Sequence, residues 1–230
     1  MNLSSLERRS APRAFTIVEL LVVIAILALL VSISGPALQV LRGGSSQASD
    51  LSAALRLARA YAVAKNTYVR VGFAQSQVAG ELPSTVILLV CLADGDITSA
   101  SASEMSDASL WPPVTKPLIL ENFLMYPALN ASSPDTRGDA LPTQSTTAPF
   151  SRRVVVGTGA PQVLTFAASI QFQPNGEARV DTATTARYIK IPLDRPKSPA
   201  DLVARGQDPF IIRLSGVTGA VSILRKGDGI

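Results

Sequence analysis

The stretch FTIVELLVVIAILALLVSI, residues 15–33, decides how this 230-residue chain is organised. It contains a single charged side chain, Glu19, in 19 residues. At about 1.5 Å per residue, a helix of this length extends about 30 Å, which is the thickness of a bilayer's hydrocarbon core. The preceding residues 1–14 carry three arginines and one glutamate. We therefore expect residues 15–35 to cross the membrane once, with the N-terminus in the cytoplasm.

Three interpretations of this segment follow from the residues alone. A cleaved secretory signal peptide fits the basic start, but its apolar region is typically about 7–15 residues long and Ser32–Ser34 is a poor cleavage site. A plain membrane anchor explains the length but not Glu19. A carboxylate in an apolar helix costs about 2.5–3.5 kcal/mol near the bilayer centre and less near the interface. Glu19 therefore either has a partner or extends to the lipid headgroups.

The residues around Glu19 resemble the N-terminal signature of type IV pilins and pseudopilins. They read AFTIVELLVVIAIL, residues 14–27. The resemblance implies that a prepilin peptidase cuts between Ala14 and Phe15 and methylates the new N-terminus of Phe15. It also implies that Glu19 pairs with the N-terminal amine of a neighbouring subunit in a filament, which would offset the cost of burying both ions. The family usually has glycine where this chain has Ala14.

The helix is expected to continue beyond the apolar stretch, over residues 36–66. Pro36 removes one backbone donor and predicts a bend, and many pilins carry a proline at this position. A helical pattern resumes after Gly43-Gly44. Its shared apolar face is expected to pack on a sheet and consists of Leu51, Leu55, Ala58 and Ala62.

From residue 67 onward the period of the apolar residues is typical of strands. Residues 69–73 alternate in a way that predicts a half-buried strand, and Thr85–Leu92 predicts a central strand in which Cys91 packs as a small hydrophobe. Asn175-Gly176 and Val217-Thr218-Gly219 predict turns between later strands. Those later strands are predicted at 118–124, 153–156, 163–172, 187–191, 210–214 and 221–224, with 178–180 after the first turn.

The predicted fold class is α+β, with a long N-terminal helix packed on an antiparallel sheet. The predicted organisation is a leader at 1–14, a membrane and assembly helix at 15–35, a helical continuation at 36–66 and an extracytoplasmic β domain at 67–230. Long loops are expected at 93–116 and 127–149, and a shorter one at 192–209.

Segments of the predicted β domain indicate which members of the pilin family the chain resembles. Residues 55–66, LRLARAYAVAKN, are similar to the helix-to-strand segment of H-type minor pseudopilins of type II secretion (GspH) and their FimT-like relatives. Residues 170–178, IQFQPNGEA, and the segment 210–219 are similar to their mid-domain turn and closing hairpin. Prepilin-like cassette proteins (Verru_Chthon cassette protein D) are a second family that the chain resembles. Both resemblances imply a pilin-like fold.

Composition limits the chemistry that the chain can perform. It has no histidine, which excludes Ser-His-Asp and Cys-His nucleophile systems and the commonest metal ligand. Its one cysteine excludes an internal disulfide and a cysteine-rich zinc site. No nucleophile elbow, phosphate loop or metal-spaced cluster is present. We therefore expect no enzyme, no metal site and no cofactor.

DNA binding is a separate question, because FimT-like relatives bind DNA through Gly-Arg-x-Arg after the last glycine. Here the sequence reads Gly219-Ala220-Val221-Ser222, which lacks both arginines. Arg225 and Lys226 and the pair Arg152-Arg153 are weak candidates. DNA affinity needs several phosphate contacts in one patch, so DNA is not expected as a partner.

The sequence thus predicts a minor pilin or pseudopilin in the inner membrane, with its C-terminal domain outside the cytoplasm and, once assembled, in a filament. The expected partners are prepilin peptidase, the membrane and other pilin subunits. The alternative is a membrane-tethered DNA- or ligand-binding module that never polymerises.

Overall fold

The computed structural model describes residues 18–24, 26, 44–77, 82–93, 106–130, 137–141, 149–156, 160–180, 185–206 and 209–225. The chain divides into two compact units, Met1–Gly43 and Gly44–Ile230. In the first unit, residues 18–24 are helical. In the described part of the second unit, the helix Gly44–Lys65 is followed by a series of strands, which confirms the predicted mixture of helix and antiparallel sheet.

Helix α1 spans Gly44–Lys65. The four residues predicted to share its apolar face are all fully buried, whereas Arg56 and Arg59 are exposed. The helix ends where Asn66 adopts a left-handed conformation, with φ 49°. The amides of Asn66 and Thr67 then donate to the carbonyls of Val63 and Ala62, a pairing that closes the last turn.

Among the residues that the structure describes, twelve strands follow the helix. They are β1 Val69–Ser76, β2 Ser84–Cys91, β3 Leu118–Leu120, β4 Leu124–Met125, β5 Asp139–Ala140, β6 Phe150–Val154, β7 Gln162–Phe166, β8 Ala168–Phe172, β9 Ala178–Arg179, β10 Tyr188–Asp194, β11 Phe210–Ser215 and β12 Val221–Arg225. A short 3-10 helix, Pro127–Asn130, follows β4.

The strands form two sheets and a separate hairpin rather than the single sheet that the sequence predicts. Sheet A has the order β3-β2-β1-β8-β9, and all its pairs are antiparallel. Sheet B has the order β12-β11-β10-β4, and β5 pairs with β10 in parallel. Strands β6 and β7 form the outer hairpin. The amide of Ala178 in sheet A donates to the carbonyl of Gly216, just after the last strand residue of β11.

The prediction that β1 is half-buried is wrong, because the strand is covered on both faces. Val69, Val71 and Phe73 join the core beneath α1, and the inner face of sheet B contributes to the same core. On the opposite face, Ala74 joins a second core with Phe150 and other residues of the outer hairpin. Sheet A therefore lies between helix α1 and the outer hairpin. An alternating pattern predicts one buried face, so it does not predict that the outer hairpin covers the other face of β1.

Two runs that predict single strands are each divided between different sheets. The run 118–124 breaks at Asn122, which has φ 62°, so that β3 lies in sheet A and β4 in sheet B. The run 163–172 breaks at Ala167 between β7 of the outer hairpin and β8 of sheet A. Continuous apolar sequence does not reveal such a switch, because both halves are buried in a core.

The predicted central strand and its cysteine are confirmed. Strand β2 pairs with β1 on one side and β3 on the other. Cys91 is buried in the core beneath α1, and its Sγ lies 3.7 Å from the carbonyl oxygen of Pro112. The predicted loop at 192–209 begins later than expected, because Pro192 lies within β10 and its carbonyl accepts from the amide of Tyr126.

Candidate processing and assembly site

The N-terminal helical segment is apolar on every side. Seven apolar side chains among residues 18–24 and 26 are 47–68% exposed: Val18, Leu20, Leu21, Val22, Val23, Ile24 and Ile26. A helix with apolar side chains all round is normally covered by protein or by lipid. This segment therefore has the surface of an element that requires an apolar environment.

Glu19 lies within this helical segment and is exposed. It is flanked along the chain by Val18 and Leu20, so the carboxylate interrupts an otherwise apolar surface. The other predicted site residues, Ala14, Phe15 and Pro36, lie outside the described residues. Cleavage, methylation and the helix bend therefore stay predictions.

Among the described residues, no helix combines the length and the apolar character that a membrane crossing requires.

The same N-terminal segment matches a known family motif. Residues 9–35 match the family model described as the prokaryotic N-terminal methylation motif. The chain carries a type IV pilin-type signature. Ala14, Phe15 and Glu19 all fall within the matched residues, so the motif implies processing by a prepilin peptidase and assembly with other pilins. Neither a curated protein nor a solved structure matches the chain.

The structure separates the basic residues that the sequence offers for DNA. Arg225 is the last residue of β12 and is exposed, and Lys226 lies outside the described residues. Arg152 is partly buried, and its Nη2 donates to the carbonyls of Asp107 at 2.8 Å and Trp111 at 3.1 Å. This burial lowers the pKa of Arg152. Arg152 therefore anchors a loop, and only Arg153 of that pair is exposed.

The loop that Arg152 holds is built around Trp111, which is 1% exposed. The guanidinium of Arg70 lies 5.4 Å from the Trp111 ring, and its Nη2 donates to Oε1 of Gln171 at 2.6 Å. At the start of the loop, Asp107 accepts from the hydroxyl and the amide of Ser109, which lowers the pKa of that carboxylate. The buried side chain of Trp111 thus stabilises its own loop and is not available for contact with a partner.

The two turns that the sequence singles out meet at one place on helix α1. Gly176, with φ 87°, and Gly219, with φ 64°, form the turns after β8 and β11. A Cβ added at Gly176 would lie 3.3 Å from Nε of Arg59, and one added at Gly219 would lie 2.7 Å from its Cδ. Arg59 therefore lies against both turns. Sequence reasoning identified the turns separately but did not predict that they are adjacent.

The structure also contains a group that sequence reasoning missed. Arg137, Arg187 and Arg213 all place their guanidinium groups over the ring of Tyr188. The first and last of these arginines are 76 positions apart in the chain, so no local motif connects them.

Among the described residues, no group of three acidic or cysteine side chains could hold a metal ion.

Proposed function

We propose that this chain is a minor pilin or pseudopilin, most similar to the H-type subunits of type II secretion. It is cut between Ala14 and Phe15, methylated at Phe15 and anchored in the inner membrane by residues 15–35. It then enters a type II secretion or type IV pilus-like filament. The observation that carries the proposal is the methylation motif at residues 9–35, in which one carboxylate interrupts an apolar helix.

The charge of Glu19 supports a role in assembly. Cutting before Phe15 would create an amine four positions before Glu19 in the sequence. A carboxylate in an apolar environment is strongly penalised without a partner, whereas a pair with good geometry offsets much of that cost. The amine of a neighbouring subunit would supply this partner. Glu19 would then fix the axial register between adjacent subunits.

The domain supports the same role, because helix α1 has one face buried on the sheets and further apolar side chains exposed. Leu57 is 45% exposed and Val63 is 50% exposed. The exposed alanines of the helix are Ala53, Ala60 and Ala64. Small side chains permit another helix to approach closely, so the exposed side of α1 is suited to packing in a filament.

The experiment compares Glu19→Ala with the wild-type chain in a strain that produces the filament. We expect Glu19→Ala to insert into the membrane normally, because the substitution makes the helix more apolar, but to enter filaments much less. Membrane fractionation measures insertion, and immunoblotting of purified filaments measures incorporation. Glu121→Ala removes the same charge from an exposed position of the domain and is the matched control.

Equal incorporation of Glu19→Ala and wild type would contradict the role of Glu19. A chain that is processed correctly but purifies only as a monomer, without other pilin subunits, would contradict the filament role as a whole. That second result would support the alternative of a tethered module that does not polymerise.

A further inference from the structure

Three arginines surround one tyrosine on sheet B. Tyr188 is the first residue of β10 and is half-buried. The guanidinium carbons of Arg137, Arg187 and Arg213 lie 5.4, 5.6 and 5.2 Å from the centroid of its ring. We call these four residues the arginine cluster.

Strand pairing brings the cluster together. Tyr188 lies opposite Ser215 and Lys190 lies opposite Arg213, so Tyr188 and Arg213 are diagonal neighbours across β10 and β11. Alternation along β10 sends Ile189 into the core and leaves Tyr188 on the other face of the sheet.

Arg137 reaches the cluster because β5 runs in parallel beside β10. Gly138, which follows Arg137, has φ 79°, and a Cβ added there would overlap the carbonyl oxygen of Tyr188. The absence of a side chain at Gly138 thus permits the close approach that places Arg137 over the ring. The cluster is therefore defined by the backbone and is not a chance meeting of long side chains.

The cluster concentrates positive charge. Because each guanidinium carbon lies within 5.6 Å of the same centroid, no two of them are more than about 11 Å apart. This is close to the Debye length of about 10 Å at 0.1 M salt, so the three charges act together on a ligand. Arg137 and Arg187 are exposed, as is the single neighbouring carboxylate on β5, Asp139. Two of the three guanidinium groups of the cluster are thus accessible to a partner.

We propose that the arginine cluster binds an acidic segment of a partner protein. Arginine forks match carboxylates in a bidentate geometry, and tyrosine and arginine are the residues that dominate binding energy at protein interfaces. The guanidinium groups already lie over the ring of Tyr188, which leaves little open ring face on which a nucleobase could stack. The chemistry of the cluster therefore favours a carboxylate-rich protein surface over a nucleic acid. This inference concerns the unit Gly44–Ile230 and does not depend on N-terminal processing.

The test uses the full chain in a non-ionic detergent and a fluorescent peptide of ten glutamates as the probe. Fluorescence anisotropy measures binding at low and high salt, with a ten-glutamine peptide as the uncharged control. The variant Arg137→Gln/Arg187→Gln removes two exposed charges from the cluster. Arg56→Gln/Arg153→Gln removes two exposed arginines elsewhere and is the matched control. Circular dichroism shows whether each variant is folded.

We expect the glutamate peptide to bind, the glutamine peptide not to bind, and affinity to fall as salt is raised. The cluster variant should lose about fivefold in affinity, as expected for two exposed ion pairs, and the control variant less than twofold. Equal losses in both variants would overturn the proposal, because binding would then follow net charge alone. An absence of peptide binding, or tighter binding of an oligonucleotide that only the cluster variant loses, would also overturn it.

Discussion

At the scale of the residue, one glycine sets how closely the two sheets meet. Gly216 follows β11, and its carbonyl accepts from the amide of Ala178 at 2.7 Å. A Cβ added at Gly216 would overlap the carbonyl oxygen of Ala186. Both neighbours belong to the backbone and cannot move like a side chain. Any larger residue here must therefore separate the chain segments that join sheet A to sheet B.

We predict that Gly216→Ala lowers the free energy of unfolding by about 3 kcal/mol, because overpacking against backbone cannot be relieved locally. Gly206→Ala is the matched control. Gly206 has φ 71° but nothing within 4 Å of an added Cβ, so this substitution should cost only about 1 kcal/mol of backbone strain. Urea unfolding of both variants measures the difference. Equal costs would show that steric contact at Gly216 is unimportant.

Tyr126 is a second residue whose environment makes a specific prediction. Its hydroxyl is buried and has no hydrogen-bond partner among the described residues. Burial, followed by the charges of Asp194 and Asp201, raises the pKa of Tyr126 to about 12. The native state therefore holds the phenol proton more tightly than the unfolded chain does, in which the pKa of tyrosine is about 10.

The stabilisation from this proton is complete below pH 10 and is lost as the pH rises toward 12, because the unfolded chain then releases the proton first. We predict that Tyr126→Phe removes this component of alkaline destabilisation. The substitution should cost little at pH 7, since no hydrogen bond among the described residues is lost. Unfolding free energies measured between pH 9 and 11 test this, and an unchanged pH dependence in Tyr126→Phe would contradict it.

At the scale of the element, the sequence predicts what local periodicity can determine. The buried face of α1, the strand β2 and the two glycine turns are all confirmed, because each depends on residues close together in the chain. The division of strands between two sheets and the outer hairpin depends on contacts between distant residues. The one local sign of the outer hairpin was Gly72 in β1, because a glycine within a strand permits another element to approach closely. The alternating pattern of apolar residues does not use this information.

Gly72 permits the outer hairpin to lie on sheet A. A Cβ at this position would be 2.6 Å from Cζ of Phe150 and 3.0 Å from Cβ of Phe166. The two phenylalanine rings are stacked, with centroids 4.9 Å apart. The packing of this whole element therefore depends on a missing methyl group in the strand beneath it.

We predict that Gly72→Ala lowers the free energy of unfolding by about 1–3 kcal/mol, since the Phe150 ring must shift. Phe150→Leu makes room for the added methyl group, so the double variant should be more stable than the sum of the two single changes implies. A double-mutant cycle by thermal or urea unfolding measures this coupling. Strict additivity would show that Gly72 and Phe150 do not contact each other as the structure indicates.

At the scale of the whole molecule, the two kinds of site differ in how far sequence can predict them. The processing and assembly motif lies in one continuous segment, so the residues alone identify it, and its match at 9–35 confirms the pilin-type signature. The arginine cluster combines residues from three separate segments, and only the pairing of β5, β10 and β11 reveals it. The pair Arg152-Arg153 shows the opposite case. The two arginines are adjacent in the sequence, but Arg152 is partly buried against a loop and only Arg153 is exposed.

We propose that the mature chain begins at Phe15, four positions before Glu19. Mass spectrometry of the N-terminal peptide, from protein purified out of the membranes of its native host, tests this most directly. We predict a peptide that starts at Phe15 and carries one methyl group on its amine. A peptide that retains residues 1–14, or an unmodified chain cut at another position, would contradict it.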